Sequence, residues 1–323
     1  METLVEIKNL KMYFPVISGA VIPRRKAGIK AVDDVSLSIR KGETLGLVGE
    51  SGSGKTTLGL SLLQLYKPTA GEVLYNGKDL CLLTGRELRN MRRKMQIIFQ
   101  DPFSSLDPRM TASEIISEAL QIHHLVSGKP AGQISRLLSL VGLNPVLANH
   151  YPHEFSAGER QRLGIARALA VDPEFIVCDE PVSSLDVSVQ AQIIQLLEDL
   201  QKRLNLTYLF ISHDLAIVGY ISDRVAVMYL GKLCEIGLRE QVYTNPLHPY
   251  TRALLAAVPI PDRAAEKARQ RAPLMGDMPS ALNPPPGCSF HRRCPVALPV
   301  CRDQLPSMEM REAEHYVACW QTI

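Results

Sequence analysis

One stretch near the start of the chain constrains the fold more than any other. The apolar, β-prone run TLGLVG leads into the glycine-rich segment GESGSGK, and TTLGLSLLQLY follows with helical spacing. This order fits G-x-x-x-x-G-K-[ST], in which backbone N–H groups converge on phosphate at the positive end of the next helix. The alternative is a glycine-rich strand-to-helix turn that binds nothing. The flanking strand and helix favour a phosphate-binding loop formed by Gly49, Glu50, Ser51, Gly52, Ser53, Gly54, Lys55, Thr56 and Thr57.

Two loop side chains and two acids further along predict the chemistry. We expect Lys55 to reach the terminal phosphates of a nucleotide and the Thr56 hydroxyl to ligate Mg²⁺. In FIVCDE, a buried strand would deliver Asp179 and Glu180 to its carboxyl end, where ligands bind in open α/β sheets. Asp179 is predicted to hold Mg²⁺ through water, and Glu180 to activate an attacking water as general base. An acidic strand end that simply meets solvent is the alternative, and the phosphate loop makes it the weaker one.

The remaining pattern predicts an α/β fold. Short apolar runs such as FIVCD and LTYLFISH alternate with helical segments, which is typical of a parallel sheet with helices on both faces. RVAVMYLGKLCEIG predicts a late antiparallel hairpin. Residues 15–29, rich in Gly, Pro and basic residues, are predicted to connect two early strands. From about residue 246 the proline-rich texture indicates a separate extension.

Charge and hydropathy exclude several classes of protein. A net charge of +3 over 323 residues is too small to indicate a nucleic-acid partner. No apolar run approaches the roughly 18 residues of a membrane span, and METLVEIKNL lacks the pattern of a signal peptide. We therefore expect a cytosolic protein without disulfides, and peripheral attachment to a membrane partner stays open.

Four further motifs make the chain resemble the ATP-binding subunits of ABC transporters. Residues 155–162, FSAGERQR, are similar to the LSGGQ signature motif followed by a basic helix. Gln100 in QIIFQDP matches the Q-loop of that family, Ser184-Leu185-Asp186 matches its D-loop, and His213 in ISHD matches its switch histidine. The order and spacing of these motifs cover residues 1 to about 245.

Finer features are similar to one subfamily, the oligopeptide/dipeptide importers, and particularly to their F-type ATPase subunit. They are the insertion after Phe14, the segment LHPYTRALLAAVP, and the cysteine-containing tail that begins NPPPGC. The resemblance implies an ATP-hydrolysing subunit that powers import of di- and oligopeptides through a bacterial transporter. Nickel and glutathione importers share these features and are the alternative. A soluble ABC ATPase of translation or repair, or a metal-binding scaffold with a vestigial nucleotide site, is a more distant one.

The resemblance also implies a domain organisation. Residues 1–245 would form the P-loop ABC ATPase domain, with a RecA-like parallel-sheet core, an antiparallel β subdomain and a helical signature subdomain at about 101–170. Residues 246–323 would form a small extension with a four-cysteine site. The partners implied are a second ABC ATPase subunit in a heterodimer, two membrane permease subunits and, through the complex, an extracytoplasmic substrate-binding protein. The implied location is peripheral, at the cytoplasmic face of the cell membrane.

The resemblance also implies a role for each residue that matches a motif of the family. Gln100 would contact the metal or water and sense the membrane subunits, and His213 would bind the γ-phosphate and orient the water. An aromatic residue of the first strand should stack on adenine; Phe14 is favoured and Tyr13 is its neighbour.

The signature motif would act on the nucleotide that the partner subunit holds. Ser156 and Gly158 would face that nucleotide, and Asp186 is expected among the nucleotide-binding residues as well. The alternative for Ser156 is that it serves only as a helix N-cap. The signature departs from the family pattern at Ala157 and Glu159, and the second change adds a negative charge near the expected phosphate.

Four cysteines crowd the tail: Cys288, Cys294, Cys301 and Cys319. In a reducing cytosol, clustered thiols indicate a metal or cofactor rather than disulfides. Their spacing, C-x5-C-x6-C-x17-C, is neither that of ordinary zinc pairs nor that of bacterial ferredoxins, so it names no metal. The resemblance implies that the four ligate one structural [4Fe–4S] cluster. Zn²⁺ and four unliganded thiols are the alternatives.

Overall fold

The computed structural model describes residues 2–18, 24–126, 130–258 and 276–321. Their β-strands occur along the whole chain and carry the main sequence motifs at their ends. In chain order the strands are β1 (Thr3–Ser18), β2 (Arg24–Arg40), β3 (Thr44–Val48), β4 (Ala70–Tyr75), β5 (Lys78–Asp79), β6 (Met95–Ile98), β7 (Phe175–Asp179), β8 (Thr207–Ile211), β9 (Arg224–Tyr229), β10 (Lys232–Leu238), β11 (Glu309–Glu312) and β12 (His315–Val317).

The α-helices lie between these strands. Within the described ranges, no helix is both long and apolar enough to cross a bilayer. In chain order the helices are α1 (Lys55–Leu62), α2 (Gly85–Lys94), α3 (Pro102–Ser105), α4 (Ala112–Ile122), α5 (Ala131–Leu140), α6 (Ala157–Leu169), α7 (Val187–Leu204), α8 (Leu215–Ile221), α9 (Arg239–Thr244) and α10 (Pro249–Ala257).

The chain forms two compact units, and the first comprises Met1–Glu2, Arg40–Glu43 and Leu82–Ile211. Its sheet is parallel: β6 pairs with β7, and β7 pairs with β8. Every residue of β7 and β8 is buried, which is why FIVCD and TYLFI are continuous apolar runs rather than alternating ones. The predicted parallel-sheet core is confirmed here.

The second unit comprises Thr3–Ile39, Thr44–Cys81 and Ser212–Ile323. Here β3 pairs in parallel with β9, and β9 and β10 form the predicted antiparallel hairpin. Strand β12 continues this sheet antiparallel to β10, with β11 next to it. A separate four-stranded sheet has the order β2-β1-β4-β5, with β4 antiparallel to both of its neighbours.

The predicted connection at residues 15–29 is shorter than expected. Strand β1 continues to Ser18 and β2 begins at Arg24, and residues 19–23 lie outside the described part of the chain. Strand formation depends on pairing with a neighbour more than on composition, so glycine and basic residues did not end these strands.

A buried carboxylate joins the C-terminal extension to the hairpin in the second unit. Glu235 of β10 and His315 of β12 are both fully buried, and His315 Nε2 lies 2.7 Å from Glu235 Oε1. The same carboxylate accepts hydrogen bonds from the backbone N–H groups of Leu247 (2.8 Å) and His248 (2.9 Å), just before α10. One acid therefore orders both β12 and the start of α10.

We expect the buried His248 to make stability depend on pH. Burial lowers the pKa of His248 to about 4, against an opposing effect of Glu235, and its Nδ1 accepts the Tyr250 N–H at 3.0 Å as the cap of α10. The unfolded chain protonates this histidine near pH 6.5, so the free energy of unfolding should fall as pH drops from about 6.5 to about 4. Urea unfolding at several pH values measures this decline.

The matched variant is His248→Asn, because asparagine also caps helices but does not titrate. Its unfolding free energy should decline less over this pH window than that of the native chain. Equal pH dependence in the two proteins would show that His248 is not responsible.

Candidate functional site

The glycine-rich loop between β3 and α1 has a shape that side chains would prevent. Gly54 has φ +104°, and a Cβ there would lie 2.0 Å from the Ala31 carbonyl oxygen. A Cβ on Gly49 would lie 2.1 Å from the Met228 carbonyl oxygen. Glycine is required at both positions by close backbone approach and, at Gly54, by a left-handed conformation as well.

The ammonium group of Lys55 is hydrogen-bonded to the backbone of this loop. Its side chain is buried, and Nζ donates hydrogen bonds to the carbonyl oxygens of Gly49 (2.7 Å) and Glu50 (3.0 Å). Ser53, fully buried, lies with its Oγ 3.5 Å from the same nitrogen. Thr56 follows Lys55 in the first turn of α1 and is exposed. A cation at a helix N-terminus within a glycine cradle fits a polyphosphate, as the sequence predicts.

The first unit brings together two predicted residues that are 80 positions apart. Asp179 is buried at the end of β7, and Glu180 follows it half-buried. Gln100 Nε2 donates a hydrogen bond of 3.0 Å to Glu180 Oε2. Glu180 has φ +45°, and its N–H donates to the Ile211 carbonyl oxygen at 2.9 Å. Such a backbone is uncommon outside glycine and clusters at functional sites, because the surrounding structure must hold it.

The signature segment begins α6 with a capping box. Ser156 Oγ accepts the Glu159 N–H (3.3 Å), and Glu159 Oε2 accepts hydrogen bonds from the Ser156 N–H (2.9 Å) and hydroxyl (2.8 Å). These bonds from Ser156 lower the pKa of Glu159. The carboxylate of Glu159 is therefore bonded to the first turn of its own helix. A Cβ on Gly158 would lie 2.6 Å from Val189 Cγ1, so this position excludes a larger residue.

Asp186 and His213 both lie at helix starts. Asp186 is the N-cap of α7 and accepts the N–H groups of Ser188 and Val189 at 3.1 Å each. A hydrogen bond from the Ser188 hydroxyl lowers the pKa of Asp186. His213 is exposed and directly precedes Asp214, the N-cap of α8.

The two candidate adenine-stacking residues have different neighbours. The Tyr13 hydroxyl donates to Asp33, and Lys30 Nζ lies 5.6 Å from the centre of the Tyr13 ring. Phe14 meets Tyr66 edge to face, with ring centroids 5.3 Å apart. Stacking on Phe14 stays a prediction.

The four tail cysteines correct one prediction. Cys288, Cys294, Cys301 and Cys319 line a common cavity of only about 10 Å³. Within the described residues, no group of three or more His, Cys, Asp or Glu side chains could hold a metal ion. The predicted [4Fe–4S] cluster is therefore wrong, and the same finding gives the zinc alternative no support.

The physical reason is space. A cavity of about 10 Å³ is no larger than one water molecule needs, which leaves no room for a four-iron cluster between the thiols. Burial also raises the pKa of Cys288 to about 11 and raises those of Cys294 and Cys319, so without a metal these thiols pack as small apolar side chains.

Two residues with direct contacts to the phosphate loop were missed by the sequence analysis. Arg293 binds the carboxylate of Glu50, and the Tyr250 hydroxyl accepts the Glu50 N–H. Tyr250 lies within LHPYTRALLAAVP, which was noticed only as a subfamily feature. Arg293 gave no signal, because a basic residue beside exposed polar residues is ordinarily solvated.

The chain has a buried strand followed by a glycine-rich loop with a buried lysine, and a second buried strand that ends in two acids. These features define a P-loop nucleotide-binding protein. Comparison with known proteins narrows this class. A family model described as "ABC transporter" matches residues 32–183, and one described as "Oligopeptide/dipeptide transporter, C-terminal region" matches residues 234–301.

Close relatives match over nearly the full length. The oligopeptide transport ATP-binding protein AppF of Bacillus subtilis is 52% identical over 320 residues, covering 98% of this chain and 97% of the relative. OppF of Salmonella typhimurium, also named as an oligopeptide transport ATP-binding protein, is 49% identical over 321 residues, covering 98% and 96%. A solved structure, the ATP-binding cassette MJ0796 in a post-hydrolysis state with ADP and Pi, has a TM-score of 0.64 and 29% identity, covering 73% of this chain and 99% of that one.

The chain therefore belongs to the ABC transporter ATP-binding subunits, in the oligopeptide/dipeptide transporter subfamily. It is an ATPase of that family, with the predicted α/β fold.

Proposed function

We propose that this chain is the ATP-hydrolysing subunit of a bacterial importer of di- and oligopeptides. The observation that carries the proposal is the nearly full-length identity to oligopeptide transport ATP-binding proteins, which spans both the ATPase region and the C-terminal region. Such a subunit works with membrane permease subunits, and we place it peripherally at the cytoplasmic face of the cell membrane.

Each motif residue then has a proposed role with ATP as the substrate. Lys55 neutralises the terminal phosphates, and Thr56 and Asp179 would hold Mg²⁺, whose charge offsets that of the phosphates. Glu180 removes a proton from the attacking water. The contact from Gln100 supports this role, because a positioned amide orients the carboxylate. His213 is proposed to orient the same water.

The proposed assembly has two different ATPase subunits. The signature segment of each subunit, Ser156 and Gly158 here, would complete the site of the other, and Asp186 would lie at the same interface. An extracytoplasmic binding protein would deliver the peptide to the permeases. Within the chain, we propose residues 1–245 as the ATPase domain, with its helical part at about 101–170, and residues 246–323 as an extension.

Reconstitution tests the proposed function and separates it from its alternatives. The chain is co-purified with its partner subunits, placed in proteoliposomes, and assayed for ATP-driven uptake of labelled dipeptides, oligopeptides, glutathione and Ni²⁺. Uptake of peptides alone is expected. Selective uptake of Ni²⁺ or glutathione would overturn the peptide assignment, and ATP hydrolysis without association with membrane subunits would overturn the transport role.

A further inference from the structure

The residue that follows Gly49 in the phosphate loop is fixed at every polar group. The Glu50 carboxylate accepts two hydrogen bonds from Arg293, from Nη1 at 2.6 Å and from Nη2 at 2.9 Å. Its N–H donates to the Tyr250 hydroxyl at 2.9 Å, and its carbonyl oxygen accepts from Lys55 Nζ at 3.0 Å. Two of these three contacts come from the C-terminal part of the chain.

Arg293 is itself held rigidly. Its side chain is 5% exposed, and its guanidinium carbon lies 5.8 Å from the centre of the Tyr229 ring. The backbone N–H of Arg293 donates a hydrogen bond to the Phe290 carbonyl oxygen at 2.9 Å. Tyr229, Tyr250 and Phe290 pack against one another with ring centroids 4.7 to 5.3 Å apart.

This geometry is the strong form of an ion pair. A bidentate guanidinium–carboxylate pair fixes direction as well as charge, which a lysine would not do. Hydrogen bonding to Glu50 raises the pKa of Arg293, so the guanidinium stays charged at any working pH.

The loop needs such an anchor. Gly52 and Gly54 hold φ of +80° and +104°, and glycines lose more conformational freedom on ordering than other residues. A loop that is ordered before its ligand arrives binds more tightly, because the cost of ordering is not subtracted from the binding energy. Fixing Glu50 also fixes the carbonyl group to which Lys55 is bonded.

We propose that Arg293 is a positioning residue for ATP binding: by holding the Glu50 carboxylate, the C-terminal extension pre-orders the phosphate loop and sets its affinity for ATP. This inference rests on the proposed role of Lys55 at the phosphates. It gives the extension a function in the nucleotide site, which a purely structural attachment would not have.

A double-mutant cycle on the full-length chain tests the proposal. The dissociation constant for ATP with Mg²⁺ is measured by calorimetry for the native chain, Arg293→Met, Glu50→Gln and the double variant. We expect each single change to weaken binding about tenfold, the effect of losing one charge-assisted interaction. The double variant should be no weaker than either single variant, since both remove the same contact.

Two further variants sharpen the comparison. Arg292→Met, in the exposed arginine next to Arg293, is the matched control and should bind ATP like the native chain. Arg293→Lys keeps the positive charge but cannot make the bidentate pair of hydrogen bonds. We expect it to lose less ATP affinity than Arg293→Met. Thermal unfolding checks that each protein is folded, and if Arg293→Met is not, Arg293→Lys replaces it in the cycle.

Native affinity in the Arg293 and Glu50 variants, or losses that add in the double variant, would overturn the inference. A separate variant, Lys55→Met, distinguishes that failure from failure of the proposed function. If Lys55→Met binds ATP as tightly as the native chain, the role assigned to the loop is wrong. If only Lys55→Met loses affinity, the loop binds ATP and Arg293 does not position it.

Discussion

Glu180→Gln should stop ATP turnover and leave ATP binding intact. A positioned general base accounts for about 10²–10⁴ in rate, and glutamine cannot accept the proton of the attacking water. The substitution should leave the local structure unchanged, because an amide oxygen can still accept the 3.0 Å hydrogen bond from Gln100. Phosphate release by the assembled transporter and ATP affinity of the isolated chain are the two measurements.

The matched control for this variant is Glu72→Gln, which makes the same chemical change at an exposed position of β4. It should hydrolyse ATP at the native rate. Near-native hydrolysis by Glu180→Gln would remove Glu180 as the base and direct attention to His213.

Lys55→Met should lose ATP binding itself. The methionine has a similar stem but no charge for the phosphates and no donor for the Gly49 and Glu50 carbonyl oxygens. Loss of a charge-assisted interaction of about 1.5–3 kcal/mol corresponds to affinity about 10- to 100-fold weaker. Calorimetric titration with ATP and Mg²⁺ measures it.

Lys67→Met is the control, since Lys67 is exposed after the end of α1. The two predictions are separable: Glu180→Gln should bind and not turn over, whereas Lys55→Met should do neither well. Native-like affinity in Lys55→Met would contradict the assignment of this loop to phosphate.

The strands and the phosphate loop could be predicted from the sequence, because each depends on residues that are close together in the chain. A buried parallel strand is a continuous apolar run, as in β7 and β8, and the glycines at 49 and 54 report close backbone approach. The hydrogen bond between Gln100 and Glu180 was not predicted, although both residues were. It depends on sheet order, which places the end of β6 next to the end of β7.

One expectation failed for a tertiary reason. Cysteine spacing shows which thiols are near in sequence, but packing leaves the four tail cysteines a shared cavity of only about 10 Å³. The expectation that Glu159 places a negative charge near phosphate stays a prediction, and the structure adds that this carboxylate completes the cap of its own helix with Ser156. Arg293 could not be found, because its partner Glu50 lies 243 residues away.

The carboxylate of Glu235 has a consequence for anyone who shortens this protein. A chain cut after residue 245 would lose the three groups that bond to this acid, His315 and the N–H groups of Leu247 and His248, and with them the strand β12 that pairs with β10 at this residue. Three lost hydrogen bonds at about 0.5–1.5 kcal/mol each are a large part of the 5–15 kcal/mol that ordinarily separates folded from unfolded protein. Recombinant ATPase fragments that end at the apparent domain boundary should therefore be less stable than the full-length chain.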